Sequence, residues 1–175
     1  IRGTLAGNLT PIKGLTITSR FGYRINMSSS HNYTEPYYAS PFVQQTNYSI
    51  SASTNTGYYY QWENFANYNT TIAKKHNISA MVGMSYQQTN TNRLSGSADQ
   101  LSNYSPNFLY LDNAVNTTQM SVSGSPNVTA NMSYFGRVGY TYDNKYFFQA
   151  NFRADAYDSS KLDPEHRWGY FPSVS

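Results

Sequence analysis

The sequence predicts an all-β protein: an antiparallel transmembrane β-barrel, present as about seven consecutive strands of a larger barrel. Three observations predict it. Apolar and polar residues alternate with period two over long stretches. Short turns alternate along the chain with long connections rich in Ser, Asn, Thr and Pro. The composition is aromatic yet poor in charge, with 17% aromatic residues, 18 of them Tyr, against 12% charged. A disordered chain would carry more charge and fewer rings. No apolar run approaches the roughly 18 residues that a membrane-spanning helix needs.

The elements follow in order. Ile1, Gly3, Leu5, Gly7 and Leu9 form one face of the first strand, opposite Arg2, Thr4, Ala6 and Asn8. The tight turn Thr10–Gly14 leads to the second, where Leu15, Ile17, Phe21, Tyr23 and Ile25 alternate with Thr16, Thr18, Arg20 and Arg24. A third runs from about Tyr58 to Ile72, with Trp62, Ala66 and Tyr68 opposed to Gln61, Glu63 and Asn67. The turn Ala73–Asn77 opens a fourth, with Ile78, Ala80, Val82, Met84 and Tyr86 against Ser79, Met81, Gly83, Ser85 and Gln87. Tyr134, Val138, Tyr140 and Tyr142 alternate with Arg137, Gly139 and Thr141. After Asp143–Lys145, Tyr146, Phe148, Ala150 and Phe152 alternate with Gln149, Asn151, Arg153 and Asp155. A last strand opens near Trp168. Face parity predicts that Tyr142 pairs with Tyr146 and that each tight turn holds an odd number of residues, since one residue of slip would invert a strand.

The stretches Asn26–Gly57 and Asn92–Ala130 are expected to be long loops, with a shorter one over Asp158–Arg167. Long loops on one edge and tight turns on the other suit a membrane barrel, whereas long structureless loops are uncommon in soluble domains. A bacterial barrel closes with at least eight strands, so residues 1–175 are expected to be an internal part of the barrel domain.

Little here suggests catalysis. Cys is absent, which removes disulfides and thiolate metal sites. His31, His76 and His166 lie far apart with no partner at a telling spacing, and Glu63 lacks a second carboxylate for glycoside chemistry. Asp155, Asp158, Asp163 and Glu165 lack the ordered spacing of a calcium loop. The cations are scattered, apart from Lys74-Lys75, so nucleic acid is not an expected partner. No catalytic residue, metal or cofactor is expected. The charges Arg20, Arg24, Glu63, Arg137, Arg153 and Asp155 share the polar face, where they avoid the several kcal/mol that lipid exposure costs at mid-depth. Tyr58, Tyr59, Tyr60 and Trp62 are read first as an aromatic girdle at the lipid interface. Tyr37, Tyr38, Phe42, Tyr104, Phe108 and Tyr110 fall in the expected loops and are candidates for contact with substrate or a protein lid, the alternative being packing within the loops themselves.

One family resemblance appears late in the chain. Tyr134-Phe135-Gly136-Arg137-Val138-Gly139-Tyr140-Thr141-Tyr142, then Arg153-Ala154-Asp155, Ser159-Ser160 and Arg167-Trp168-Gly169-Tyr170-Phe171-Pro172-Ser173 resemble the SusC/RagA family of TonB-dependent outer-membrane transporters of Bacteroidetes. Pro11–Leu15, Tyr60–Asn64 and Lys75–Ile78 fit the same pattern. Ala156-Tyr157-Asp158 and Leu162 depart from it where a single Gly and an aromatic are usual. The resemblance implies a 22-stranded type of barrel in the bacterial outer membrane, in contact with lipid bilayer and lipopolysaccharide. It implies a plug that lies outside this chain, engagement of the TonB complex through that plug, a SusD-like lipoprotein lid, and import of oligosaccharides or peptides. The competing readings are a passive outer-membrane porin and a soluble carbohydrate-binding β-sandwich.

Overall fold

The computed structural model describes residues 1–102, 105–115, 117, 120–158 and 163–175. Its strands are β1 (Arg2–Ile12), β2 (Leu15–Thr34), β3 (Tyr37–Ser40), β4 (Val43–Gln45), β5 (Ser49–Ile72), β6 (His76–Asp99), β7 (Ser121–Tyr142), β8 (Tyr146–Asp158) and β9 (Trp168–Val174). Seven of them form one sheet in the order β1-β2-β5-β6-β7-β8-β9, so every sheet neighbour is the next long strand in sequence. β3 and β4 pair separately as a small hairpin between β2 and β5. The expected seven-stranded antiparallel meander is what the chain forms.

Two expectations need correction. Most of Asn26–Gly57 is strand, because β2 continues to Thr34 and β5 begins at Ser49. Nearly half of Asn92–Ala130 is strand as well, since β6 reaches Asp99 and β7 begins at Ser121. Both faces of these extensions carry Ser, Thr and Asn, so the strand continues while the apolar signal that reveals period two disappears. Tyr58–Trp62 consequently sits in the middle of β5 rather than at its end. β5 and β6 are 24 residues each, about 80 Å of chain at 3.3 Å per residue. Crossing a bilayer takes only about 9–11 strand residues.

The chain divides into two compact units, residues 1–25, 58–90 and 128–175 in one and 26–57 and 91–127 in the other. The first is a two-faced sheet. Leu9 pairs with Ile17, Leu5 with Phe21, Val138 with Ala150 and Tyr140 with Phe148, which keeps apolar residues together on one side. Leu5, Leu9, Ile17, Val82, Val138, Phe148 and Val174 are all exposed there, as suits a belt whose solvent is lipid. Aromatic contacts mark both limits of that belt. Tyr142 stacks on Tyr146 and lies 5.1 Å from His76 at the turns. Tyr134 stacks on Trp168, and Tyr60 lies 6.0 Å from Tyr86, toward the other limit.

The turns show how parity is kept. Tyr142 pairs with Tyr146 across the three residues Asp143–Lys145, as expected. Asp143 and Asn144 take φ of 48° and 55°, and the Lys145 amide donates to the Tyr142 carbonyl at 2.9 Å. Ala73 and Lys74 repeat this with φ of 50° and 58°, the Lys75 amide donating to the Ile72 carbonyl at 3.2 Å. The first turn differs from expectation. Ile12 pairs with Leu15 across only Lys13 and Gly14, and a register shift between Leu9 and Ile12 restores the parity.

The second unit has its own small core. Ile50, Ala98 and Leu101 are 3%, 2% and 1% exposed, with Tyr33, Tyr48, Leu109, Leu111, Ala114 and Met120 packed against them. Leu101 and Ala114 form a β-bridge, and Asn113 Nδ2 donates to the Phe108 carbonyl at 2.9 Å. A stretch read from sequence as generic loop is therefore folded around a buried leucine.

Candidate functional site

Strand residues two apart share a side, which gathers the polar residues of the first unit on one face. Arg20 Nη1 donates to Glu63 Oε2 at 3.3 Å, and Gln61 Nε2 donates to Glu63 Oε1 at 2.8 Å. The Tyr59 hydroxyl lies 2.7 Å from Gln61 Oε1 and 3.1 Å from Gln87 Oε1. The Arg24 guanidinium sits 5.2 Å from the Tyr59 ring centre and that of Arg20 5.9 Å from Phe65. Arg20, Arg24 and Glu63 thus belong to one network. The Arg20–Glu63 ion pair is partly solvated and worth about 0–1 kcal/mol, so its value lies in fixing geometry rather than in stability.

Arg153 and Asp155 form a second cluster. Arg153 Nε lies 2.8 Å from both Asp155 oxygens, and its Nη2 donates to Ser133 Oγ at 3.2 Å. The register sets these residues in rows across β7, β8 and β9: Ser133, Asp155, Gly169; Phe135, Arg153, Phe171; and Arg137, Asn151, Ser173. Arg137 is exposed, and among the described residues it has no ion pair. A recess of about 350 Å³ beside these rows is lined by Gln87, Ser133, Arg153, Asp155, Arg167 and Phe171, among others. Asp158 is held at its margin by Arg167 at 2.8 Å. Asp163 accepts from the Glu165 amide at 3.2 Å, capping a short helical turn at Pro164–His166.

Sequence reasoning missed the phenylalanines on this same face. Phe65, Phe135, Phe147 and Phe171 all share the parity of the arginines, and Phe147 and Phe171 are 62% and 58% exposed. Glycines make room for these rings. A Cβ at Gly83 would lie 2.6 Å from the Phe135 ring and 2.7 Å from the Phe65 Cβ, and one at Gly169 would lie 3.0 Å from the Phe171 ring. Parity alone carried the signal, since each Phe is an odd-numbered residue on a strand whose odd positions are polar.

The loop candidates separate. Tyr37 and Tyr38 stand on β3 and Phe42 in the turn to β4, with Tyr38 70% and Phe42 97% exposed. Phe108 and Tyr110 are more than half exposed, and Tyr110 meets the His31 ring edge-on at 6.4 Å. Tyr104, Ser159, Ser160 and Leu162 lie outside the described residues. His76 shares a 2.7 Å hydrogen bond with the Tyr140 hydroxyl. His31 and His76 lie in separate units, and among the described residues no three His, Asp or Glu side chains converge on a metal position.

A two-faced sheet of long strands, ringed with aromatics and lined with fixed charges, has close counterparts among known proteins. TonB-dependent receptor P39 of Formosa agariphila is 31% identical over 126 residues, 69% of this chain and 11% of that protein. Receptor P26 of the same organism is 26% identical over 175 residues, 99% of the chain and 17% of the protein. The chain belongs to the TonB-dependent receptors. It spans about a tenth to a sixth of the length of these relatives. The RagAB peptide transporter aligns over 99% of the chain and 19% of the solved one, with TM-score 0.84 and 21% identity, and the importer's open-open state aligns with TM-score 0.81 and 22% identity. This TonB-dependent receptor chain therefore has the fold of a RagA barrel segment, which excludes the soluble sandwich, and its place is the bacterial outer membrane. No protein-family model matches the chain.

Proposed function

We propose that this chain forms part of the wall of an energised nutrient importer, filled by a plug and capped by a SusD-like lipoprotein, that takes up oligosaccharides or peptides. The observation that carries this reading is the inner face, where Phe65, Phe135, Phe147 and Phe171 stand among fixed ion pairs. A water-filled porin gains nothing from phenylalanines on its wet wall. Apolar area is stabilised by burial at about 25 cal/mol per Å², and a folded plug supplies that burial. Arg20, Arg24, Glu63, Arg137, Arg153 and Asp155 then serve as polar contacts to the plug. Through the plug the TonB complex draws on the inner membrane. Tyr37, Tyr38, Phe42, Phe108 and Tyr110 offer rings to a sugar, a peptide or the lid. The transporter similar to this chain in fold carries peptides, which supports import over passive leakage.

The test uses the full-length protein in its own cells. Uptake that stops when TonB is removed, with no steady conductance from the purified protein in a planar bilayer, is the expected result. Continued uptake without TonB, together with an open conductance, establishes the porin instead.

A further inference from the structure

The second unit carries a recess of about 290 Å³ lined chiefly by hydroxyls. Seven of its lining residues are serines, drawn from β2, β5, β6 and β7, and with them stand Asn32 and Arg93. None of these serines is buried. Alternation along a strand explains why they are bare. Ile50 on β5 and Ala98 on β6 point to the side opposite Ser51, Ser53, Ser95 and Ser97, and the small core of the unit forms around them there. Folding therefore uses one side of these strands and leaves the hydroxyl side open.

Charge and hydrogen bonding identify what fits there. Ser30 Oγ lies 2.8 Å from Ser53 Oγ, and Ser95 Oγ lies 2.8 Å from Ser123 Oγ. In each pair one hydroxyl donates to the other, whose own hydrogen stays free. Arg93 adds the donors of a guanidinium, which among the described residues has neither a hydrogen bond nor an ion pair. No carboxylate among the described residues lines the recess, and Asp99, the next acid along β6, is about 20 Å away at 3.3 Å per residue. Unused donors around one positive charge are the complement of an oxyanion. Each serine also accepts, which matches the hydroxyls of a sugar. A peptide of mixed sequence needs apolar room, and among the described residues Ala52 and Gly96 are the only apolar walls. No described ring lines the recess to stack on a neutral sugar, so charge has to carry the selectivity. We propose that this recess binds the acidic group of an anionic oligosaccharide, a carboxylate or a sulfate ester. Arg93 holds the oxyanion, and the serine pairs hold the neighbouring sugar hydroxyls. The assignment rests on the import reading, since it names the kind of cargo, but its test does not involve TonB.

Isothermal titration calorimetry on the purified full-length protein tests it, with tetragalacturonate, its methyl ester, a sulfated galactose tetrasaccharide and tetraglutamate as separate probes. At least one acidic sugar is expected to bind about tenfold more tightly than the neutral ester, the fold-change of one charged hydrogen bond. Which acidic sugar binds more tightly identifies carboxylate or sulfate as the anion. Arg93→Gln should remove that margin and leave the affinity for the ester unchanged. Arg93→Lys, which keeps the charge but not the fork, should retain part of it. Ser53→Ala combined with Ser95→Ala should weaken acidic and neutral sugars alike, about three- to tenfold, as one or two neutral hydrogen bonds do. Heat-modified gel migration of each variant confirms that its barrel has formed. Acidic sugars bound no more tightly than the ester overturn the proposal, and so does a margin that survives Arg93→Gln. Tetraglutamate bound more tightly than either acidic sugar also overturns it and establishes a peptide site. Uptake that persists without TonB overturns import and leaves this site standing, so the two failures are told apart.

Discussion

At Gly83 a single hydrogen stands where any other side chain would meet Phe65 and Phe135. Because the Phe65 Cβ is anchored to its own backbone, the crowding is not relieved by turning a ring. Gly83→Ala is expected to destabilise the folded barrel by about 1–3 kcal/mol in refolding titrations. Gly7 has nothing within 4 Å of a built Cβ, so Gly7→Ala should be neutral or gain about 0.5 kcal/mol. A second contrast tests the two faces. Val138 lies on the lipid side, midway along β7 between Tyr134 and Tyr142, and Val138→Arg should cost about 2–4 kcal/mol. Thr141→Arg, on the polar side opposite Phe147, should cost well under half of that. Equal costs would contradict the assignment of faces. Most of this was legible in the sequence, since Arg20, Arg24, Glu63, Arg153 and Asp155 fall on the polar face as parity required. The pairing of Arg20 with Glu63 was not, because it depends on the register between β2 and β5, with the two residues 43 apart in sequence. Nor were the inward phenylalanines, which break the simple association of rings with lipid.

Individual elements were legible where one face is apolar and illegible where neither is. The tips of the hairpins show the first case. Tyr142 had to pair with Tyr146 for both to face lipid, and it does. The first hairpin reached the same parity with a two-residue turn and a bulge, a choice that hydrophobic pattern does not specify. The extensions of β2, β5, β6 and β7 show the second case. Ser30 and Ser53 share a 2.8 Å hydroxyl contact, as do Ser95 and Ser123, inside stretches whose composition alone reads as loop. One tip also carries a correctable strain. Ala73 holds φ of 50° with neither the freedom of Gly nor the local hydrogen bonding of Asn. Ala73→Gly is expected to stabilise the protein by up to about 1 kcal/mol, whereas Asn144→Val, at φ of 55°, should cost about 1–2 kcal/mol. Chemical denaturation in detergent micelles measures both.

For the molecule as a whole, the proposed function fixes which way the sheet faces. The proposed function requires the turns carrying Lys13, Lys74, Lys75 and Lys145 to face the periplasm, and the segments bearing Phe42 and Phe108 to face outward. The sequence contains no Cys, so single substitutions report without background. In intact cells carrying the full-length protein and lacking the lipoprotein lid, Asn47→Cys and Asn107→Cys should react with a membrane-impermeant maleimide. Lys75→Cys and Asn144→Cys should react only once the outer membrane is opened. The reverse pattern would invert the topology and remove the reason to assign substrate capture to the aromatic segments. Topology in the membrane was legible only as an expectation, because turn length and loop composition point outward or inward by convention of the fold class, not by any local force.

The order of strands in the sheet also bears on how the wall is assembled. Each long strand lies beside its nearest long neighbour in sequence, so no strand waits for a distant partner before it pairs. The entropy of closing a loop grows with the logarithm of its length, which makes the three-residue tips at Asp143–Lys145 and Ala73–Lys75 cheap places to begin. The costliest closure joins β6 to β7 across residues 100–120, where the Leu101–Ala114 bridge shortens the free chain, and across residues 35–48, between β2 and β5, β3 and β4 zip onto each other to the same effect. Growth can therefore advance one hairpin at a time, each new strand offered a finished edge, with few backbone groups left unpaired in the hydrocarbon at any moment.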